Sequence, residues 1–326
     1  MPANVTPEYE RAERRFREAA TDGERLDALR EMLRTIPKHK GTEKMQADIK
    51  RRISQLRKAE GKRSASKGPD PFHVPKSGCG QVVLVGAPNT GKSALLAATT
   101  NAHVKVAEYP YATPLPVPGM WSYEDVQIQL VDTPPATAEH VPTGLMGTIR
   151  QADVICLVVD AAGDCLEHAE AALQLFDNRG LELRSAPRTK LGGPQSRRRS
   201  ALIVANKIDA APPGNVGALR ELYADRLDIV PVSAVTGEGL DVLLDRLWEL
   251  LAVIRVYTKE PGKPPDRDQP FTLSAGATIE DLAREIHREL LEEMKFARIW
   301  GDGRFKGQRV RRDEALRDQD VVEIHR

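Results

Sequence analysis

Val82-Val83-Leu84-Val85-Gly86-Ala87-Pro88-Asn89-Thr90-Gly91-Lys92-Ser93 decides how the rest of the chain is read. A short apolar run of strand length enters a loop that satisfies G-x-x-x-x-G-K-[ST], and a helical stretch near residues 92–100 leaves it. In that context the glycines let successive backbone N–H groups turn toward a phosphate chain, and the following helix adds its positive N-terminal end. Lys92 supplies a point charge, and the Ser93 hydroxyl is placed to ligate Mg²⁺. Asn89, Thr90, Gly91, Lys92, Ser93 and Ala94 are therefore the candidate phosphate-binding residues.

Outward from this loop, apolar runs at 126–131, 154–159, 202–205 and 229–232 alternate with helical stretches near 164–178, 216–225 and 240–252. Strands separated by helices predict βαβ units and a mainly parallel sheet with helices on both faces, the P-loop NTPase (Ras-like) α/β class. A basic, apolar-poor segment at about 184–199 interrupts the alternation and reads as a short exposed insertion. After residue 252 the pattern restarts with apolar runs at 254–257, 271–273, 297–300 and 321–324 and a helix over 279–291, an order that fits a β-grasp-like α+β module. Residues 8–58 are rich in Arg, Lys, Glu, Ala and Leu. Met45, Ile49, Ile53 and Leu56 line one helix face, and Leu26, Leu29 and Leu33 line the preceding one, which predicts a helical hairpin with Thr42 as N-cap. Residues 61–80, rich in Lys, Ser, Pro and Gly, read as a linker. The expected organisation is thus 1–60 helical, 61–80 linker, 81–252 nucleotide-binding and 253–326 β-grasp-like.

The chain has 326 residues, too many for a single small fold. Its 48 Lys and Arg against 47 Asp and Glu leave a net charge of +1, so any nucleic-acid affinity must come from local patches. The three cysteines are too few and too irregularly spaced for a disulfide framework or a C-x-x-C metal site, and the seven histidines lack ligand spacing. No signal-like apolar region opens the chain and no run is long enough to span a bilayer, so the expectation is a cytoplasmic protein.

A phosphate cradle does not choose between ATP and GTP. Asn206-Lys207-Ile208-Asp209 follows an apolar strand, and the Asp209 carboxylate suits the N1–H and 2-amino donors of guanine, which adenine does not offer together. Adenine would leave that carboxylate unpaired. Further on, Ser233-Ala234 stands where a backbone N–H can meet guanine O6.

With these motifs in this order, the sequence resembles the Obg-like developmentally regulated GTP-binding (DRG) GTPases over most of its length. Residues 254–266, 278–281 and 298–301 look like their C-terminal TGS domain, and the helical N-terminus with its Lys38-His39-Lys40-Gly41-Thr42 turn resembles their hairpin. Tyr109-Pro110-Tyr111-Ala112-Thr113 looks like switch I, which implies that Thr113 binds Mg²⁺ and the γ-phosphate. Asp132-Thr133-Pro134-Pro135 matches D-x-x-G in its Asp only, the position implied to serve the metal. Lys92, Thr113 and Asn89 are the residues the resemblance implies for catalysis. Asn89 is associated with a potassium ion in the Obg-like group, and its rival reading is a hydrogen bond that stabilises the turn.

Two departures stand out. Pro135 replaces the glycine whose N–H meets the γ-phosphate, and proline has no N–H. Ala136 stands where Ras-like proteins keep a glutamine, so no side-chain amide orients the attacking water, and hydrolysis is expected to be slow. The stretch between Asp160 and Asn206 is also shorter than the subdomain the DRG proteins carry there. The resemblance implies ribosome or RNA association. Candidate phosphate contacts are Arg197, Arg198 and Arg199, the helix face of Lys50, Arg51, Arg52, Arg57 and Lys58, and Arg304, Lys306, Arg309, Arg311 and Arg312 beside Trp300 and Phe305. Each is also readable as solvated surface, the helix face more so than the others. Two functions remain: a Mg²⁺-dependent GTPase switch, or a guanine-nucleotide-stabilised RNA-binding scaffold with incidental turnover.

Overall fold

The computed structural model describes residues 7–18, 22–37, 42, 45–54, 70–100, 115–137, 141–192 and 196–326. It divides into two compact units, Met1–Asp70 and Pro71–Arg326. In the first, α1 (Pro7–Glu18), α2 (Asp22–Thr35) and a third helical stretch, α3 (45–54), share a small core. Tyr9, Ala12, Leu29, Met32, Ile36 and Ile49 are buried in it, with Met45 and Ile53 packed alongside. The expected seam is present, but α1 contributes to it, so the described helices are three rather than a pair. Leu56, Arg57 and Lys58 lie outside the described residues. On the basic face, Arg51 and Arg52 both pair with Asp48, at 2.7 and 2.9 Å.

The second unit holds two sheets. The first comprises β1 (Gly80–Val85), β2 (Val117–Tyr123), β3 (Val126–Asp132), β4 (Val154–Asp160), β5 (Glu182–Arg184), β6 (Arg198–Asn206) and β7 (Ile229–Pro231). Its order is β2-β3-β1-β4-β6, with β5 and β7 pairing different stretches of β6; only β2 runs antiparallel. Alternate residues of the central strands feed two apolar layers. Val83, Val85, Ile155 and Leu157 face α5 (Leu145–Gln151), α6 (Cys165–Asp177) and α7 (Asn215–Tyr223). Val82, Leu84, Val154 and Cys156 face α4 (Lys92–Thr99) and α8 (Leu240–Leu251). Burial on both faces explains why these strands read as continuous apolar runs.

The second sheet has the order β11-β10-β12-β8-β9, built from β8 (Val253–Thr258), β9 (Asp266–Ser274), β10 (Phe296–Trp300), β11 (Gln308–Val310) and β12 (Asp320–His325). The helix expected over 279–291 is two helices, α9 (Ile279–Ile286) and α10 (Arg288–Glu293). His287 between them is extended, and its ring accepts the Glu289 N–H. Thr278 and Asp281 form a reciprocal capping box at the start of α9.

Two other sequence expectations need correction. The second half of the supposed linker is packed: Val74 is buried in the sheet's core, the Val74 carbonyl accepts from Gln81 at 3.1 Å, and the Pro75 carbonyl accepts from Gln129 at 3.1 Å. The supposed insertion at 184–199 contributes its ends to the sheet, where Leu183 pairs Arg199 and Arg184 pairs Ser200, and Leu191 is buried. Residues 193–195 within it lie outside the described residues. No helix among the described residues is long and apolar enough to cross a membrane.

Candidate guanine-nucleotide site

The motif residues gather at the C-terminal ends of β1, β3, β4 and β6, the edge where open α/β sheets bind ligands. The loop after β1 is pinned by close approaches. A Cβ on Gly86 would fall 2.3 Å from the Val158 carbonyl oxygen, and one on Gly91, whose φ is 89°, would fall 2.2 Å from Asn206 Nδ2. Asn89 is exposed on the rim with φ 61°, a left-handed conformation that asparagine tolerates better than most residues.

Lys92 Nζ turns back on this loop and donates to the carbonyls of Gly86 and Ala87 at 3.0 and 2.8 Å. Burial lowers its pKa to about 8, against the opposing pull of Asp132. Ser93 Oγ donates to Asp132 Oδ2 at 2.5 Å, and Ala94 is half-buried in the first turn of α4. The Ser93 hydroxyl and the Asp132 carboxylate are hard oxygen donors side by side, a set that suits Mg²⁺ completed by phosphate and water oxygens. Among the described residues no group of three or more His, Cys, Asp or Glu could hold a metal by itself.

Asn206 joins the motifs. Its Nδ2 donates to the Thr90 carbonyl at 3.0 Å, and its Oδ1 accepts the Ala234 N–H at 3.1 Å. Of the two N–H groups in the Ser233-Ala234 pair, Ser233 donates to the Glu238 carbonyl at 2.9 Å and Ala234 to Asn206, so a bond from Ala234 to guanine O6 would be three-centred. Lys207, with φ 66°, pairs with Asp160 at 2.6 Å, and its Cε lies 3.8 Å from the position a Cβ on Gly91 would take. The exposed Asp209 accepts from Ser233 Oγ at 2.5 Å, and Ser233 Oγ in turn accepts the N–H groups of Val235 and Thr236 at 3.2 and 3.1 Å. Ser233 thus orients the carboxylate, a role its motif position alone did not reveal. Asp160, which holds Lys207, went unnoticed because one aspartate ending an apolar strand carries no signature.

After β3, Thr133 Oγ1 donates to the Leu84 carbonyl at 2.6 Å. Pro134 and Pro135 carry no N–H, so the next donor is Ala136, whose N–H reaches the Gly86 carbonyl at 3.4 Å while its side chain is buried in the core. Thr113 and the rest of residues 101–114 lie outside the described residues.

Several members of the basic clusters are engaged within the fold. Arg198 pairs with Glu182 at 3.1 Å, and the Arg304 side chain, 5% exposed, pairs with Glu314 at 2.8 Å and Asp320 at 3.1 Å. Arg304 is therefore not a surface phosphate contact. Arg309 lies over the Phe296 ring, Arg312 donates to the Met294 carbonyl, and Lys259 lies over Trp300, whereas Phe305 is exposed.

A phosphate cradle, a carboxylate set for guanine and a residue joining the two, on a mainly parallel sheet, define a P-loop guanine-nucleotide-binding protein. The family pattern described as "50S ribosome-binding GTPase" matches residues 81–189, and that of the TGS domain matches 254–326. The chain is 30% identical to Developmentally-regulated G-protein 1 of Arabidopsis thaliana, across 92% of this chain and 90% of the relative. It is 30% identical to a developmentally regulated GTP-binding protein 2 homologue of Dictyostelium discoideum, across 91% of this chain and 97% of the relative. A GTP-binding protein from Pyrococcus horikoshii shares the fold, with a TM-score of 0.52 at 17% identity over 75% of this chain and 99% of that one. The chain belongs to the developmentally regulated GTP-binding (DRG) family. The Arabidopsis alignment runs over 362 positions yet uses only 92% of these 326 residues, so that relative carries segments this chain lacks.

Proposed function

We propose that the chain is a GTP hydrolase that turns GTP into GDP and phosphate slowly, with Mg²⁺, and acts as a switch at the ribosome or another RNA. The observation that carries the nucleotide reading is Asn206, which holds the phosphate loop through Thr90 and the base-side loop through Ala234. One purine nucleotide can span the two. In this reading 81–252 is the GTP-binding domain, 253–326 the TGS domain and 1–60 a helical appendage.

Bound Mg²⁺ would offset charge on the β- and γ-phosphates; Ser93 and Asp132 would hold it, and Thr113 is the residue the family resemblance implies would complete its shell. Lys92 swaps its bonds to the Gly86 and Ala87 carbonyls for phosphate oxygens. Water attacks the γ-phosphorus, the bond to the β–γ bridging oxygen breaks, GDP leaves with the electron pair, and the water's proton passes to a phosphate oxygen or to solvent. Ala136, buried in the core, offers no side-chain amide to orient that water, which supports a low intrinsic rate. We assign Asn89 to a potassium ion that would add positive charge beside the transferring group. Turnover in KCl should then exceed that in NaCl at equal ionic strength; equal rates would remove the ion from the account.

The ribosome part of the reading rests on the family description that fits residues 81–189 and on exposed Phe305 beside the C-terminal basic residues. Pro135 favours a second reading, a nucleotide-stabilised RNA-binding scaffold. Single-turnover hydrolysis with and without ribosomal subunits separates them: stimulation supports the switch, and a flat low rate with nucleotide-independent RNA binding supports the scaffold.

A further inference from the structure

At the opposite end of the same sheet, where β4 and β6 begin, a cavity of about 580 Å³ is lined by Lys76, Arg150, Arg188, Arg198 and Arg199 against a single carboxylate, Asp153. That carboxylate is fully engaged. Its Oδ1 takes Lys76 at 2.5 Å and also Arg188, and its Oδ2 accepts the Gln81 N–H at 3.0 Å. Glu182, outside the cavity, is shared by Arg198 and Arg184. Among the described residues Arg150 and Arg199 have no carboxylate partner, and Arg199 donates to the backbone carbonyls of Ser196 and Arg198 alone. The two also repel: burial, then Arg188, then Arg150 lower the pKa of Arg199. Ser200, 2% exposed, lines the same wall, and its hydroxyl has no hydrogen-bond partner among the described residues.

Converging guanidinium groups in a concave wall are costly unless an anion joins them, and forked donors match phosphate oxygens. We propose that this cavity is a second anion site, separate from the nucleotide loops, that binds a phosphate group through Arg150, Arg199 and the Ser200 hydroxyl. Its volume lies within the range of small-ligand sites, roughly 300–1,000 Å³, so a small polyphosphorylated ligand fits as well as one phosphate of an RNA strand.

The test uses the full chain in saturating GDP, with no added divalent cation and at constant ionic strength. Inorganic tripolyphosphate is titrated calorimetrically and a fluorescent single-stranded RNA by anisotropy, against wild type, Arg150→Gln, Arg199→Gln and the double variant. Affinity should fall at least about 10- to 150-fold in the double variant, the range for losing even one charge-assisted hydrogen bond, with GDP affinity unchanged. Loss for tripolyphosphate identifies a small ligand as sufficient; loss for RNA alone identifies the polymer as the phosphate source. Equal binding by wild type and double variant, or binding of neither probe, overturns the proposal. So does a tripolyphosphate signal lost in Lys92→Ala but kept in the cavity variants, which would place it on the phosphate loop. If GDP itself fails to bind, the nucleotide reading falls while the variant comparison still judges the cavity. Arg150→Gln alters an exposed side chain at the end of α5, so it guards against misfolding as the cause of any loss.

Discussion

Lys92 is buried and, among the described residues, has two backbone carbonyls as acceptors for its ammonium group, and that arrangement fixes a sign. Its pKa is lowered from 10.5 to about 8 by burial, so the folded chain without ligand disfavours the charged form. The penalty is complete below about pH 8 and fades as pH rises from there toward 10.5, where the unfolded lysine also loses its proton. Phosphates reverse the preference, because an anion at the ammonium favours the charged form. Nucleotide binding above pH 8 should therefore take up protons, and affinity should decline by up to about tenfold per pH unit. Calorimetry at pH 9 in two buffers of different ionisation enthalpy reads the uptake directly; identical enthalpies in the two buffers would contradict it.

Elements connect this site to the rest of the second unit. The segment after β3 has consecutive prolines where a donor is expected, and the first available N–H, on Ala136, is directed at Gly86. Changing Pro135 to Gly restores a donor, and one hydrogen bond to a charged acceptor is worth about 1.5–3 kcal/mol. The GTP-over-GDP preference should rise about 10- to 150-fold in competition with a fluorescent nucleotide; unchanged affinities for both would show that this segment does not sense the γ-phosphate.

The hairpin of β2 and β3 ends at Glu124 and Asp125, and there Arg255 of β8 joins the two sheets. Its side chain is 4% exposed; it pairs with Glu124, with Asp125 at 3.1 Å and with Asp318 at 2.6 Å, and it lies 5.2 Å from the Trp248 ring centroid. Tyr257 adds a bond to Asp125 at 2.5 Å. Removing one partner of a buried ion pair costs about 3–5 kcal/mol, but these carboxylates are partly solvated, so Arg255→Ala should cost about 2–3 kcal/mol. Denaturant titration with separate probes for the two sheets should show the transitions moving apart; an unchanged midpoint would remove Arg255 from the interface's stability.

At the scale of the whole molecule, what the sequence reveals is what is local in it. The residues of G-x-x-x-x-G-K-S lie on one turn because phosphate binding needs consecutive amides, and the central strands are apolar throughout because both faces are covered. What it hides is what distant residues settle together. The packed segment before β1 is held by the side chains of Gln81 and Gln129, which have no periodic pattern. β5 borrows its partner from β6, and Arg304 reads as surface charge until Glu314 and Asp320 enclose it. The guanine reading also depends on such a meeting, because Lys92 and Asp209 follow different strands and come to one sheet edge, where Asn206 bonds the Thr90 carbonyl. The most direct test exchanges the base-side partner: displacement of a fluorescent guanine nucleotide by GDP and by xanthosine diphosphate, in wild type and Asp209→Asn. Xanthine presents a 2-carbonyl in place of the 2-amino group, so wild type should prefer GDP and the variant xanthosine diphosphate, each by about tenfold or more. Equal GDP affinity in the two proteins would contradict the account.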